Sequence, residues 1–143
     1  MKLIVGNCNN PTGKTLAGFY SAYTKISVLT NYTAMGWQHN DKIVGIALFD
    51  NYTGNNIDIH IWAEKGVTRS MITAVYDYAF NQLQCLRMSG KIASDNKKLL
   101  QLLPRFGFEY ECTLRDYLGT RSAPLDVHVH KISAERALKW IRK

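Results

Sequence analysis

Long hydrophobic runs are missing from this sequence of 143 residues. No apolar segment reaches the roughly 20 residues that a membrane-spanning helix needs. The apolar start from Met1 to Val5 is too short for a secretory signal peptide. We therefore expect a cytoplasmic protein. Without a secretion signal, the acceptor patterns at Asn31 and Asn51 carry little weight as glycosylation sites.

Cysteine is scarce, and the sequence has no internal repeat, low-complexity segment or convincing linker. The three cysteines, Cys8, Cys85 and Cys112, are odd in number and far apart, so we expect free and mostly buried thiols in a reducing compartment. No histidine is tied to Cys85 by spacing, which favours a buried strand residue over a nucleophile. The composition, with 46% hydrophobic and 20% charged residues, is ordinary for a soluble protein. We predict a single domain over residues 1–143.

Positive charge is in excess and unevenly distributed along the chain. The formal net charge is +7, and residues 84–143 carry 12 Lys and Arg against 6 Asp and Glu, whereas residues 1–83 carry 6 against 5. A basic surface can bind nucleic acid, attract a small polyphosphate ligand or simply be solvated. We favour a solvated surface together with an anionic small ligand over direct nucleic-acid binding.

The stretch from Ile57 to Phe108 carries the most informative pattern. Apolar and polar residues alternate up to Glu64, which predicts a half-buried strand. The segment from Lys65 to Ser70 then breaks the alternation, and apolar residues recur at helical spacing from Met71 to about Gln84. A turn between a strand and a helix directs free backbone N–H groups outward, which suits a phosphate.

The remaining segments predict further strands and helices around this stretch. Within the stretch from Ile57 to Phe108, we also predict a strand from Cys85 to Ala93. A short helix follows, which Asp95 can cap and which ends near Arg105 before Gly107. The other predicted strands are Lys2 to Val5, Tyr32 to Gln38, Lys42 to Phe49, Phe108 to Tyr117 and Val127 to Lys131. The second and third of these are apolar strands joined by His39-Asn40-Asp41, which predicts a hairpin. The other predicted helices are Gly13 or Lys14 to Lys25 and Ala134 to Lys143. The fold class is α/β (α+β), with a mixed, mostly antiparallel sheet of about seven strands.

A second phosphate-binding pattern is present near the start of the chain. Gly13-Lys14-Thr15 follows a strand, as in the phosphate loop of nucleotide triphosphatases, and Asp50 is placed where it could hold magnesium. That loop also needs a glycine where Cys8 stands, and the chain lacks the repeated strand–helix units of such folds. A polar helix start is therefore the better interpretation.

In the segment from Ser94 to Glu111, an Asn opens a predicted helix that ends in a Gly-Phe pair. This segment and the order of the predicted elements resemble the GNAT (Gcn5-related N-acetyltransferase) superfamily. Leu114-Arg115-Asp116-Tyr117 is similar to the tail found in the branch that acetylates protein N-termini. Tyr76 to Leu83, together with Trp140, resembles small acetyltransferase-like proteins encoded by bacteriophages. The resemblance covers roughly residues 32–143.

This resemblance implies acetyl-coenzyme A as the donor and a primary amine as the acceptor. It also implies helices on both faces of the sheet and a splayed central parallel pair, Asp58 to Glu64 and Leu86 to Ala93, that holds the pantetheine arm. The family's turn usually has two glycines, whereas this chain has Gly66 alone, which leaves weakened coenzyme binding open. The implied coenzyme-binding residues are Trp62, Ala63, Lys65, Gly66, Val67, Thr68, Arg69, Ser70, Met71 and Asn96.

Acetyl transfer to an amine needs a base, and His60 is the best candidate because it would lie beside the thioester. The alternative is that His60 is a satisfied strand residue. Asp58 and Glu64 share its strand face by alternation, so either carboxylate could orient the imidazole or act through water. The oxyanion would be held by a strand N–H near Trp62 or Ala63.

The general acid of the family has no direct counterpart. Many members place a tyrosine on the second helix to protonate the leaving thiolate, and Leu103 stands at that position here. Tyr110 or Tyr117 could substitute, and Tyr110 is the residue that we select.

Other chemistry-bearing residues have simpler interpretations. Asp126, His128 and His130 alternate on one strand face and form a possible metal site, but a wet strand face explains them as well, and we predict no metal. The three tryptophans are expected to pack in or beside the core rather than stack on bases. A catalytically silent relative that binds a protein or nucleic acid through the basic second half is the alternative to an enzyme.

Overall fold

The computed structural model describes residues 1–24 and 31–142. The chain forms two compact units. The first comprises Met1–Thr53 and Ile57–Val75, and the second comprises Gly54–Asn56 and Tyr76–Lys143. The seven strands of the described chain are β1 (Lys2–Asn7), β2 (Thr33–His39), β3 (Lys42–Asp50), β4 (Asn56–Ala63), β5 (Arg87–Ala93), β6 (Glu109–Gly119) and β7 (Pro124–Ser133). The α-helices are α1 (Pro11–Thr24), α2 (Arg69–Tyr76), α3 (Lys97–Leu102) and α4 (Ala134–Ile141).

This architecture confirms the predicted α/β class with a seven-stranded, mostly antiparallel sheet. Helix α1 starts at Pro11, earlier than predicted. The predicted ends of the first helix at Lys25 and of the last helix at Lys143 lie outside the described residues. The helix predicted from Met71 to Gln84 consists of α2 and a π-helical segment, Asp77–Gln82. Apolar spacing alone does not distinguish these two helix types.

In the first unit, β1, β2, β3 and β4 pair antiparallel in chain order. The predicted hairpin between β2 and β3 closes through Asn40 and Asp41, whose φ angles of 50° and 63° are those of a two-residue hairpin turn that matches the strand twist. Helix α1 packs on one sheet face and forms a core with Leu16, Ala17, Tyr20, Tyr32, Ala34, Ile46 and Leu48.

Helix α2 packs on the opposite face of the same strands. Strand alternation directs Gly45 away from the core formed with α1, and a Cβ atom at this position would lie 2.9 Å from Cε of Met71 in α2. The glycine therefore lets α2 approach the strand closely. Because helices cover both faces, β4 is more buried than the predicted half-buried strand, and the side chain of Asp58 is buried with the neighbouring isoleucines.

In the second unit, β7 pairs antiparallel with both β5 and β6. Strands β6 and β7 are longer than predicted, and the register of β6 shifts at two places. An aromatic cluster forms the core: the ring of Tyr76 lies 5.4 Å from that of Trp140, and its hydroxyl donates a hydrogen bond to the carbonyl of Phe106. Burial raises the pKa of Tyr76.

The short helix α3 differs from its prediction in its cap. Oδ1 of Asn96 accepts a hydrogen bond from the backbone N–H of Leu99 at 3.3 Å, so Asn96 is the N-cap and the predicted cap at Asp95 is wrong. A 3₁₀ turn, Leu103–Phe106, follows and ends at Gly107, whose φ of 93° requires the conformational freedom of glycine.

The cysteines follow the prediction in part. Cys85 is buried, and burial raises the pKa of its thiol, whereas Cys8 is half-buried. Cys112 is exposed on β6, so the expectation of mostly buried thiols is wrong for this residue. Within residues 1–24 and 31–142, none of the helices has the length and apolar character needed to cross a bilayer.

Candidate active site

The corner between β4 and α2 is the predicted phosphate-facing turn. After β4 ends at Ala63, the N–H of Gly66 donates to the carbonyl of Ala63 at 3.3 Å, and a φ of 97° at Gly66 reverses the chain. Oγ1 of Thr68 then accepts from the N–H of Met71 at 3.2 Å and caps the helix. The predicted turn is thus present, and the helix begins at Arg69, slightly earlier than Met71.

A cavity of about 570 Å³ opens beside this corner. Its volume is within the range of small-molecule sites, about 300–1,000 Å³. Four of the predicted coenzyme-binding residues line this cavity, namely Lys65, Gly66, Thr68 and Met71. The lining residues are Met1, His39, Asn40, Lys42, Val44, Glu64, Lys65, Gly66, Thr68 and Met71.

An ion pair lies at this cavity. Nζ of Lys42 is 2.6 Å from Oε1 of Glu64, and both side chains remain partly exposed. The hydrogen bond from Lys42 lowers the pKa of Glu64, and the same bond raises the pKa of Lys42. Glu64 is therefore engaged with Lys42 and is not the orienting partner of His60.

The other predicted coenzyme-binding residues occupy several environments. Val67 is half-buried, and Arg69 and Ser70 are exposed in the first turn of α2. Trp62 lies near the end of β4, where the ring of Tyr23 stacks on it with a centroid distance of 4.0 Å. Asn96 belongs to the second unit, in which it caps α3.

His60 forms a short contact with Asp50, a carboxylate that is not among its predicted partners. Nε2 of His60 lies 2.8 Å from Oδ1 of Asp50 at the end of β3, and the side chains are 19% and 17% exposed. The ring of Tyr20 from α1 packs edge-on against the imidazole at 6.3 Å. The pair is therefore largely shielded from water.

The predicted partners of His60 on its own strand are both engaged elsewhere. Oδ2 of Asp58 accepts from Nδ2 of Asn51 at 3.0 Å, and Glu64 pairs with Lys42. Asp50 is a diagonal cross-strand neighbour of His60, because Leu48 lies opposite His60 and Asp50 lies opposite Asp58. Diagonal neighbours are about 7–8 Å apart, a distance that aromatic and long side chains can span. The antiparallel pairing of the two strands was the available signal.

Tyr110, the selected acid, belongs to a chain of polar groups in the second unit. Its hydroxyl lies 2.7 Å from Oγ1 of Thr113, which in turn lies 2.8 Å from Nδ1 of His128. The tyrosine ring also packs edge-on against His130 at 5.7 Å. Tyr110 itself is 59% exposed, so its hydroxyl is accessible from solvent.

The possible metal site on β7 is not assembled. Oδ1 of Asp126 accepts from the backbone N–H of Asp116 at 2.9 Å. His130 is buried, its Nδ1 has no hydrogen-bond partner, and burial lowers its pKa. Within the described ranges, no group of three or more His, Cys, Asp or Glu side chains is placed to hold a metal ion.

The alternative phosphate loop at Gly13 is closed by its own side chains. Oδ1 of Asn10 accepts from the N–H groups of Asn7 and Gly13, at 3.2 and 2.8 Å. A Cβ atom at Gly13 would lie 1.9 Å from the carbonyl oxygen of Asn7, so the loop backbone packs directly against this glycine. The two N–H groups that donate to Asn10 are not available for a phosphate. The preceding strand β1 pairs antiparallel with β2, unlike the parallel strands of phosphate-loop folds. Asp50 contacts His60 instead.

Comparison with known proteins identifies related sequences and folds. Residues 24–129 match the family described as an acetyltransferase (GNAT) domain. The uncharacterized N-acetyltransferase YoaA of Bacillus subtilis is 31% identical over 72 residues, which are 50% of this chain and 41% of that protein. The match thus spans less than half the length of this curated relative.

Solved structures with the same fold extend over nearly the whole chain. A chimera of the spermidine N-acetyltransferase SpeG from Vibrio cholerae and hSSAT has a TM-score of 0.75 at 15% identity, covering 96% of this chain and 99% of that one. SpeG in complex with manganese ions has a TM-score of 0.69 at 17% identity, covering 96% of each chain.

Proposed function

The chain belongs to the GNAT acetyltransferase family, and we propose that it transfers an acetyl group from acetyl-coenzyme A to a primary amine by direct attack. The amine nitrogen bonds to the thioester carbonyl carbon, the carbon–sulfur bond breaks, and coenzyme A leaves as a thiolate. The protein must bind the coenzyme, remove a proton from the amine and stabilise the oxyanion.

The corner between β4 and α2 carries this proposal. The first N–H groups of a helix have no partner within the helix, and they attract phosphate together with the helix dipole. Lys65 and Arg69 add positive charge beside them, and the adjoining cavity provides volume for a ligand. Oγ1 of Thr68 already accepts from Met71, which removes one donor from the diphosphate site. We therefore expect weaker coenzyme binding than a turn with two glycines would give.

His60 is the proposed base. Because Nε2 contacts Asp50, Nδ1 is the nitrogen that accepts the proton of the attacking amine. The N–H of Glu64 donates to Val44 in β3, and successive N–H groups of a strand point to opposite sides. The N–H of Ala63 is therefore directed away from β3, which supports Ala63 over Trp62 as the oxyanion donor.

Asp58 and Tyr110 complete the proposed set of catalytic residues. The carboxylate of Asp58 lies directly across from Asp50 in the strand register and adds negative charge near the imidazole. Tyr110 is the proposed acid that protonates the leaving thiolate. Its hydrogen-bonded chain through Thr113 to His128 supports this role, because such a chain can return a proton to the phenol.

The acceptor is an amine of a protein, a modified base or a small molecule. Spermidine is included because two structural neighbours are spermidine N-acetyltransferases by name. A cytoplasmic location and a bacteriophage origin remain predictions from the sequence.

A ligand panel tests the proposed function. The melting temperature of the protein is measured with acetyl-coenzyme A, ATP and duplex DNA, and thiol release is followed with spermidine and with peptides bearing a free N-terminus or a lysine. A ligand at 100 times its Kd stabilises a protein by about 2.7 kcal/mol, so acetyl-coenzyme A should raise the melting temperature by several degrees. Stabilisation by DNA alone would favour the silent nucleic-acid-binding alternative.

A further inference from the structure

We infer that Asp50 is a positioning residue that holds His60 in the tautomer and orientation required of a base. The inference rests on the proposed function, since it assigns a role in the same active site. Asp50 itself is not proposed to touch the substrate, because its carboxylate acts through the imidazole.

The positions of both residues are determined by the strand pairing. In the antiparallel register, Leu48 lies opposite His60 and Asp50 lies opposite Asp58. Asp50 and His60 are therefore diagonal neighbours on one face of the sheet, and the imidazole spans the separation so that Nε2 lies 2.8 Å from Oδ1 of Asp50. Both side chains are more than four-fifths buried, which limits competition from water.

The hydrogen bond selects one protonation pattern of the neutral imidazole. A carboxylate only accepts hydrogen bonds, so Nε2 must carry the proton that it donates to Asp50. Nδ1 then has a free lone pair, and it has no hydrogen-bond partner among the described residues. After Nδ1 takes a proton from the amine, the negative charge of Asp50 stabilises the imidazolium that forms.

Three other groups face this pair from the elements packed around it. Tyr20 comes from α1, Asp58 from β4, and Asn51 binds the carboxylate of Asp58. Burial raises the pKa of Tyr20 to about 12, and the charge of Asp50 adds to this shift, so the tyrosine is neutral at physiological pH. Asp50 is consequently the group that contacts Nε2, while Asp58 contributes charge from the neighbouring position.

A structural ion pair would place the same atoms together, so the test needs readouts that packing alone does not change. The Asp50→Asn variant keeps the size and planar shape of the side chain but removes its charge. Its amide can accept from or donate to Nε2, and the preference for one tautomer is lost. Asp41→Asn is the matched control, because Asp41 is an exposed residue of the same unit in the β2–β3 turn.

The first readout is the nitrogen NMR spectrum of His60, assigned with a His60→Gln variant. Neutral His60 should carry its proton on Nε2 in the wild type and in Asp41→Asn, and should become a mixture of tautomers in Asp50→Asn. A wild-type spectrum with the proton on Nδ1 would overturn the inference, and this measurement does not depend on the folding of any Asp50 variant.

The second readout is turnover of acetyl-coenzyme A by the same proteins. We expect kcat to fall about 10²-fold in Asp50→Asn with an unchanged KM for acetyl-coenzyme A, partial recovery in Asp50→Glu, and wild-type rates in Asp41→Asn. An equal kcat in Asp50→Asn and wild type would reject the positioning role. Absence of turnover in the wild type would instead reject the proposed function, and the NMR arm would still decide the tautomer.

Discussion

His60 is the residue on which the proposed chemistry depends. We expect His60→Ala to lower kcat by about 10²- to 10⁴-fold, the contribution of a positioned general base. The KM for acetyl-coenzyme A should change little, because the imidazole is not assigned to the coenzyme. Steady-state kinetics of the purified variant test this, with its melting temperature as the folding control. Unchanged turnover would remove His60 as the base.

His130 provides a second prediction at the scale of a residue. Burial lowers its pKa in the folded protein, so the unfolded chain takes up a proton first as the pH falls below about 6.5. The contribution of neutral His130 to the free energy of unfolding is complete above that pH and is lost on acidification.

We therefore expect His130→Leu to weaken the loss of stability as the pH falls below about 6.5, because leucine cannot bind a proton. Urea titrations at several pH values measure the slope, and His39→Gln is the control because His39 is exposed. The same slope in His130→Leu and wild type would contradict this assignment.

At the scale of elements, two roles are assigned to Asn96, capping of α3 and binding of the coenzyme, and separate measurements test them. Its side chain accepts from Leu99 at the start of α3, and loss of such a cap costs about 1 kcal/mol. Asn96→Ala should lower the free energy of unfolding by that amount, whereas Asp95→Ala should not. The KM for acetyl-coenzyme A of the two variants then shows whether Asn96 also contacts the coenzyme.

Local sequence patterns predicted most elements and their order, but not the side-chain contacts between strands. The apolar runs of β2 and β3 and the turn from His39 to Asp41 predicted the hairpin correctly, since both signals are contained within a few residues. The contact between Asp50 and His60 was missed because it joins different strands. Strand alternation identifies residues on one face, and only the strand register shows which of them are close.

The helix after β4 illustrates a second limit of local patterns. Apolar residues from Met71 to Leu83 fit helical spacing, yet the N–H of Leu83 donates to the carbonyl of Tyr78, five residues earlier. Burial of the same side chains is possible in either helix type, so tertiary packing selects between them. The proposed site does not depend on this segment.

At the scale of the whole molecule, several cations of the second unit are paired with carboxylates. In the second unit, Arg87 forms two hydrogen bonds with Glu111, at 2.6 and 2.8 Å. Lys131 and Arg136 lie within 4 Å of Glu109, and Lys139 pairs with Glu135. A polyanion would have to compete with these carboxylates for the paired cations.

We therefore expect duplex DNA to leave the melting temperature unchanged at about 0.15 M salt, where the Debye length is about 8 Å. A fluorescence titration with labelled duplex is the independent check, and lowering the salt is the control for weak electrostatic binding. Tight binding at this ionic strength would favour the nucleic-acid alternative over the enzyme.

The central claim is that the corner between β4 and α2 binds the diphosphate of acetyl-coenzyme A. Calorimetric titration of the wild-type protein with acetyl-coenzyme A and with S-acetyl-pantetheine, which has the same thioester but no diphosphate, tests it most directly. We predict one coenzyme bound per chain and at least about tenfold weaker binding of acetyl-pantetheine, a difference of about 1.4 kcal/mol. Equal affinities, or no binding of acetyl-coenzyme A, would contradict the claim.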